Sequence, residues 1–507
     1  MRKKVCNFRF FPIATVFSLL GILCGRYYSD TLFVVIFVTV AIGILALLPV
    51  FFFDKIKFGY VIAFVVLFSG FSLYSAGTIM RAERNEIEEY GEFDVRICYV
   101  SMDGETIRAT VDGFSGKANV YFDDVLVDSY GYDPSNLRPG DQLSVVARIK
   151  SVDWEKYGIN TSYFVKKVRY SLSVSSVESQ ERGRATLPEK IQTRVTELAV
   201  KYTGKDLGEV CVALLLGDKN AMSDDVRESF SRSGLAHVLA VSGLHISVLC
   251  YAVTFLFKKF FVPRRITFAV LAVFLTVYCF ACDLSPSVIR ASIMSLAVIP
   301  PKFRHDDDTL SVMSLVAIII FLINPMYLYD VGFLMSFAAV LGIVLLAPVI
   351  GRSKLLSRLP DGLAKIITTT LSVNITVLPV IASVFGSISL LSVVSNLAVI
   401  PIMTVGFSMF FFFALLGLLF PWLEFLFYSG NILAGYIKAV SDIVSGISFS
   451  AVDFGMKYAI LPYYAGVFVI SDYVFVSPRT KKVVAVALVI LLAVLYICRI
   501  SGYSAIT

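Results

Sequence analysis

Histidine is nearly absent from this chain: there are three in 507 residues. No H-E-x-x-H or comparable ligand pairing occurs, so the motifs offer no metal centre and no hydrolytic residue set. No phosphate-binding G-x-x-x-x-G-K-[ST] is present either, so any nucleotide-driven motor must be another protein. Eight cysteines are scattered along the chain, mostly inside apolar runs, which argues against a zinc site or a disulfide framework. Cys98 stands alone in the one long polar segment, so no bridge can form within it. Charge is scarce too, at 16% of residues, against about 25% in soluble proteins.

What the chain does have is apolar length. It is 57% hydrophobic, with a mean hydropathy of +0.78, and apolar runs of roughly 17–23 residues recur along it. These describe a polytopic α-helical membrane protein of about 13 membrane segments. The net charge of +7 then reads as orientation, not as nucleic-acid affinity, because basic loops face the cytoplasm.

Residues 1–80 hold three spans: Phe10–Gly25, Thr31–Phe53 and Phe58–Thr78. Arg2, Lys3, Lys4 and Arg9, with the Lys55/Lys57 turn, place the N-terminus inside, so residues 81–185 emerge extracytoplasmically. No signal-peptide cleavage pattern follows the first run. Within 81–185 the alternating stretches Asp94–Val100, Ala118–Tyr121, Leu143–Ile149 and Val168–Val174 read as strands, with Pro139-Gly140-Asp141 as a turn. About five strands suit a small all-β barrel of the oligonucleotide-binding (OB) type. Residues 81–184 carry 14 Lys/Arg against 18 Asp/Glu, whereas a phosphate-gripping domain is basic. Lys166, Lys167 and Arg169 form a local DNA patch candidate; an outer spacer or assembly domain fits equally well.

Residues 186–232 place mixed charge on periodic apolar positions, as interfacial helices do, and Ser223-Asp224-Asp225 reads as a helix N-cap region. The remainder, 233–507, is almost continuously membrane. A span at Gly234–Phe257 ends at Lys258, Lys259, Arg264 and Arg265, and further segments fall near 266–282, 286–300, 309–324, 330–349, 366–385, 388–420, 424–446, 456–477 and 483–498. Basic residues at 352–365 and at Arg479, Lys481 and Lys482 agree with the same orientation. The stretch 388–420, interrupted by Pro401, is expected to be broken or re-entrant.

Polar residues inside apolar runs are the candidates for function. Ser285-Pro286 opens a helix as N-cap and N1, with Arg290 one turn deeper, which together attract anions. The structural alternative pairs Arg290 with Asp283, or lets it snorkel to the lipid headgroups. Asp330 reads as an N-cap, Glu424 as an interfacial anchor. Asn374, Pro379, Asn396 and Pro401 either line a pore or join helices. The run Ser233–Ser247 holds His237, Ser242, Gly243 and His245 among small residues suited to close packing. On one helix the two histidines would lie about 80° apart, which excludes a simple two-histidine metal site. Ser242 and His245 suggest an intramembrane serine protease, but the third histidine, His305, sits in a charged loop and completes no triad.

Gly217-Asp218 followed by S-G-L-A-H-V-L-A-V-S-G-L-H-I from Ser233 resembles the signature of the ComEC competence family. Ser285–Met294, Asn324–Gly342 and Leu378–Pro401 resemble later landmarks in the same order. The resemblance implies an inner-membrane channel that passes one strand of transforming DNA into the bacterial cytoplasm, with residues 81–185 as an OB-like outer domain. It implies an outer DNA receptor and a cytoplasmic ATPase as partners, besides membrane lipid and single-stranded DNA. Many members carry a C-terminal metallo-β-lactamase-like domain; none is found before Thr507, so a separate nuclease is expected. No cofactor and no catalytic residue are expected. The expected path is lined by Ser285, Arg290, His237, Ser242, Gly243, His245, Asn374, Asn396 and Pro401. The competing class is a transporter of a small or lipid-linked anion.

Overall fold

The computed structural model describes residues 10–27, 58–83, 88–101, 106–114, 116–122, 133–152, 168–218, 222–239, 241, 243–298, 309–353, 356–385, 387–447, 450–453, 460–472 and 477–500. The expected span Thr31–Phe53, together with Lys166, Lys167, Ser242 and His305, lies outside the described residues.

In chain order the elements are α1 (Phe10–Tyr27), α2 (Phe58–Glu83), β1 (Glu88–Val100), β2 (Ile107–Val111), β3 (Lys117–Phe122), β4 (Gln142–Ser151), β5 (Val168–Glu181), α3 (Leu187–Leu216), α4 (Asp224–Arg232), α5 (Gly243–Lys259), α6 (Arg264–Ala281), α7 (Pro286–Val298), α8 (Thr309–Ile323), α9 (Val331–Leu345), α10 (Asp361–Phe385), β6 (Ser387–Ser389), α11 (Ser392–Leu419), α12 (Ser429–Ser445), β7 (Ala451–Asp453), α13 (Ile460–Ile470) and α14 (Pro478–Ile500). Four helices among the described residues are long and apolar enough to cross a membrane: Arg264–Ala281, Val331–Ile350, Asp361–Val384 and Ser392–Leu419. The protein is thus mostly helical and membrane-type, with one small β domain.

The chain divides into two compact units. The first comprises Phe8–Glu197 and Ala272–Asp330; the second comprises Leu198–Leu271 and Val331–Thr507, with the first seven residues.

The β domain belongs to the first unit. Its five strands close into a barrel in the order β1-β2-β3-β5-β4, with β4 returning to β1. Every pairing is antiparallel except β3 with β5. The period of two in the sequence is what fills the core: Leu143, Val145, Ala147 and Ile149 of β4 point in beside Val95, Ile97, Val120, Tyr170 and Leu172. The turn at Gly140 needs glycine, because its φ is +101° and a Cβ there would meet the backbone of Ala185 at 2.6 Å. In the same unit α1 and α2 pack closely, with Phe17 stacked on Phe64 at 5.2 Å and the Ser75 hydroxyl donating to the Ile22 carbonyl.

Three expectations change. Residues 233–239 are turns and the helix begins only at Gly243, so Gly234–Phe257 is not one continuous helix. The reason is local: Gly234 adopts φ +75° and ends α4 in a Schellman motif, with Leu235 N–H donating to Phe230 O and Gly234 N–H to Ser231 O. Phe230 and Leu235, both fully buried, close it. The expected break at 388–420 is also absent: α11 runs without interruption through Pro401. Finally, Ser223 precedes α4 without a side-chain cap; its N–H donates to the buried Glu209 carboxylate instead.

Candidate functional site

In the first unit, α7 carries Arg290. Its approach is unusual: Asp283 and Leu284, the second and third residues after α6, have φ of 51° and 53°, a left-handed conformation that costs non-glycine residues energy. Leu284 N–H donates to Cys279 O and Asp283 N–H to Phe280 O, again a Schellman ending. Ser285 then accepts the first helical bond, from Ile289 N–H, as an N-cap residue does. Pro286 follows at the first helical position, where its missing N–H has no partner to lose.

Arg290 is 7% exposed. Its Nη1 reaches Met294 Sδ at 3.8 Å, a weak acceptor, and its Nε has no hydrogen-bond partner. Among the described residues no carboxylate pairs with it. Asp283, the partner offered by the structural alternative, is held by Lys117 Nζ at 3.2 Å. A buried guanidinium without a counter-charge is expensive.

In the second unit, the histidine segment lies against α11. Gly234 abuts its first turn: a Cβ there would meet Ser392 Cβ at 2.5 Å. Further along, His245 is 3% exposed and stacks on Phe407 at 4.1 Å. From Ser392 to Phe407 is about 22 Å of helix. His237, half-buried, places Nδ1 3.1 Å from Gly234 O. The histidines are on different elements, a turn and α5, so angular spacing on one helix does not apply to them. Gly217 packs on Val241, bringing the two separated parts of the sequence signature together.

Asn374 on α10 and Asn396 on α11 each leave a buried polar atom without a partner, Nδ2 and Oδ1 respectively. Pro401 lies on the exposed side of α11. Arg169 is half-buried on β5, its carbonyl accepting Val152 N–H.

Sequence reasoning missed the groups that keep the prolines inside helices. Pro379 cannot donate to Ile375 O; the Tyr463 hydroxyl of α13 does so at 2.9 Å, and Tyr464 donates to Thr376 O at 2.7 Å. Near Pro401, Tyr436 of α12 donates to Ala398 O at 3.1 Å. At Pro379 a neighbouring helix thereby re-satisfies the freed carbonyl. Also missed is a hydroxyl seam between α4 and α12, where Ser229 and Ser233 meet Ser441 at 3.0 Å and Ser229 donates to Asp442 at 2.7 Å. Ser445 also meets Ser229, at 3.1 Å, and the spacing of four between Ser229 and Ser233 and between Ser441 and Ser445 was the available signal. Reading the cysteines as merely scattered overlooks Cys279-Phe280-Ala281-Cys282; both thiols are free, and Cys279 donates to Ser292 Oγ at 3.5 Å.

The tighter of two ion pairs that join the barrel to α3 among the described residues is Arg96–Glu189; the other, Arg138–Glu197, is longer at 3.9 Å. Arg96 of β1 grips Glu189 through two bonds of 3.1 and 2.8 Å, and Glu189 accepts Thr186 N–H at 2.7 Å, the reciprocal half of a capping box. Burial pushes the Glu189 carboxyl up, but the bonds from Arg96 and Thr186 more than reverse this and hold it below the ordinary carboxylate range.

No solved structure matches the chain. ComE operon protein 3 of Bacillus subtilis (strain 168) is 25% identical over 258 residues, covering 49% of this chain and 32% of the relative. The matched region is about a third of that protein's length. The Competence protein family matches residues 214–498, a stretch that takes in the histidine segment, α7 and both proline-bearing helices. With more than half of its length so matched, this membrane protein belongs to the Competence protein family.

Proposed function

We propose that the chain is a multi-pass inner-membrane channel, of about 13 membrane segments, through which one strand of transforming DNA reaches the cytoplasm. The observation that carries this reading is Arg290: a buried guanidinium with no counter-charge among the described residues, beside a helix N-terminus that favours anions. A backbone of phosphates passing such a point meets one positive charge and no competing carboxylate. The unpaired Asn374 and Asn396 amides fit a hydrated lining, and the family supplies the role in DNA uptake.

The barrel's strand order and its single parallel pair support an OB-like outer domain. Single-stranded DNA and membrane lipid are the proposed contacts of the protein as a whole. An outer receptor, a cytoplasmic ATPase and a separate nuclease complete the proposed machinery, and the chain itself is assigned no catalytic step. A path for a small or lipid-linked anion would use the same guanidinium. Uptake of fluorescent DNA in a deletion strain complemented with Arg290→Gln distinguishes the two: loss of uptake at normal protein level supports the channel, and undiminished uptake removes Arg290 from the path. Normal transformation in the full deletion overturns the DNA reading itself.

A further inference from the structure

The turn that leads into α7 is held from three directions within the first unit. Lys117, at the start of β3, pairs with the Asp283 carboxylate at 3.2 Å. Gln192, in the first turns of α3, donates from Nε2 to Ala281 O at 2.7 Å. Tyr327 donates its hydroxyl to Leu284 O at 3.2 Å. Two of the three holds fall on the residues with left-handed backbone, Asp283 and Leu284, and the third falls on Ala281, where α6 ends just before them. A pair of such residues in succession persists only where surrounding contacts over-determine it. Two of those contacts come from the barrel and from α3, which Arg96 and Glu189 tie to the barrel. The third comes from the segment after α8. None comes from α7 itself.

We propose that the outer barrel positions the arginine helix: Lys117 holds Asp283 directly, Gln192 of α3 holds Ala281 where the turn leaves α6, and together they fix where Ser285 begins α7 and where Arg290 points. Lys117 and Gln192 are thus positioning residues, not ligands of DNA. The functional consequence rests on the reading of Arg290 as part of the DNA path; the mechanical statement does not.

The test uses the full-length protein in its own membrane, with Ser285→Cys as reporter. N-ethylmaleimide, which reaches both faces, modifies position 285, and peptide mass spectrometry follows its rate apart from the other cysteines. Lys117→Glu sets two carboxylates against each other and is expected to raise the rate about fivefold. Adding Asp283→Lys to it restores the pairing and returns the rate to within about twofold of the parent. Lys117→Arg leaves it unchanged. Gln192→Met removes the second hold without changing charge and raises the rate about threefold. An unchanged rate in both Lys117→Glu and Gln192→Met overturns the clamp, as does failure of the charge swap to restore it. DNA uptake is measured in the same substitutions with Ser285 intact. A raised rate with undiminished uptake keeps the clamp and overturns the assignment of Arg290 to the path.

Discussion

Replacing Arg290 with methionine separates a functional arginine from a structural one. Methionine keeps most of the side-chain length and removes the charge. Arg290 is 7% exposed, its Nε has no partner, and its nearest polar contact is a thioether at 3.8 Å. Replacing a buried charge with an apolar group of similar volume is commonly neutral or stabilising, by up to about 4 kcal/mol. With no carboxylate among the described residues left behind to orphan, Arg290→Met is expected at the favourable end, about 1–4 kcal/mol more stable. Uptake of labelled DNA is expected to be lost at the same time. Thermal unfolding of the purified full-length protein in detergent, read by loss of monomer on size exclusion, measures the first; complementation of a deletion strain measures the second. A methionine variant that is less stable by about 1 kcal/mol or more would show that the guanidinium has a structural partner. That result refutes the argument from its missing counter-charge, whatever happens to uptake.

Gly234→Ala is expected to cost about 1–3 kcal/mol from its φ alone, with the approach to Ser392 adding to it. Ser392→Gly should relieve only the second part in the same unfolding assay; full rescue would refute the backbone argument. Tyr463→Phe removes the donor to Ile375 O and should cost about 1 kcal/mol. In a Pro379→Ala background the restored N–H serves that carbonyl, so the tyrosine effect should fall nearly to zero, and an equal loss in both backgrounds refutes the substitution of one donor for the other. Glu189→Gln breaks the Arg96 pair and should destabilise by about 1–2 kcal/mol at pH 7. Because the folded carboxyl lies below its unfolded value, this contribution is full above the unfolded pKa and fades as pH falls through the folded one. The gap between wild type and variant should therefore close below about pH 4; a gap constant from pH 7 to pH 3 would show that the charge is irrelevant.

Much of the barrel was legible because period-two burial and the Pro139–Asp141 turn are local properties. The strands expected at Asp94–Val100, Leu143–Ile149 and Val168–Val174 fall within β1, β4 and β5, and each is longer than its alternating core. The apolar helices were legible for the same reason. The segment after Ser233 was not. Its small residues suit a close-packed helix, and the local pattern cannot distinguish that from a turn whose glycine abuts another helix. Only the neighbour decides, and Ser392 is far away in sequence. Pro401 misled in the opposite sense: the proline was visible, but Tyr436, which serves the nearby Ala398 carbonyl, was not marked by anything local.

Arg290, Asn374 and Asn396 share a different kind of legibility. Each was picked out as a polar group in an apolar run, and each retains a buried polar atom that the protein leaves unpaired. Polar groups whose role is to join helices end up paired, as the serine seam of α4 and α12 does. His245 shows a third outcome, a polar ring absorbed into aromatic packing. Sequence alone could not sort these three, because all are rare polar residues among apolar ones. The accounting of donors and acceptors does sort them. A residue whose cost is offset within the fold needs no ligand to explain it, whereas the cost of Arg290 is left standing among the described residues. On that criterion the histidine motif marks the family and packs against α11, and Arg290 carries the unmet charge.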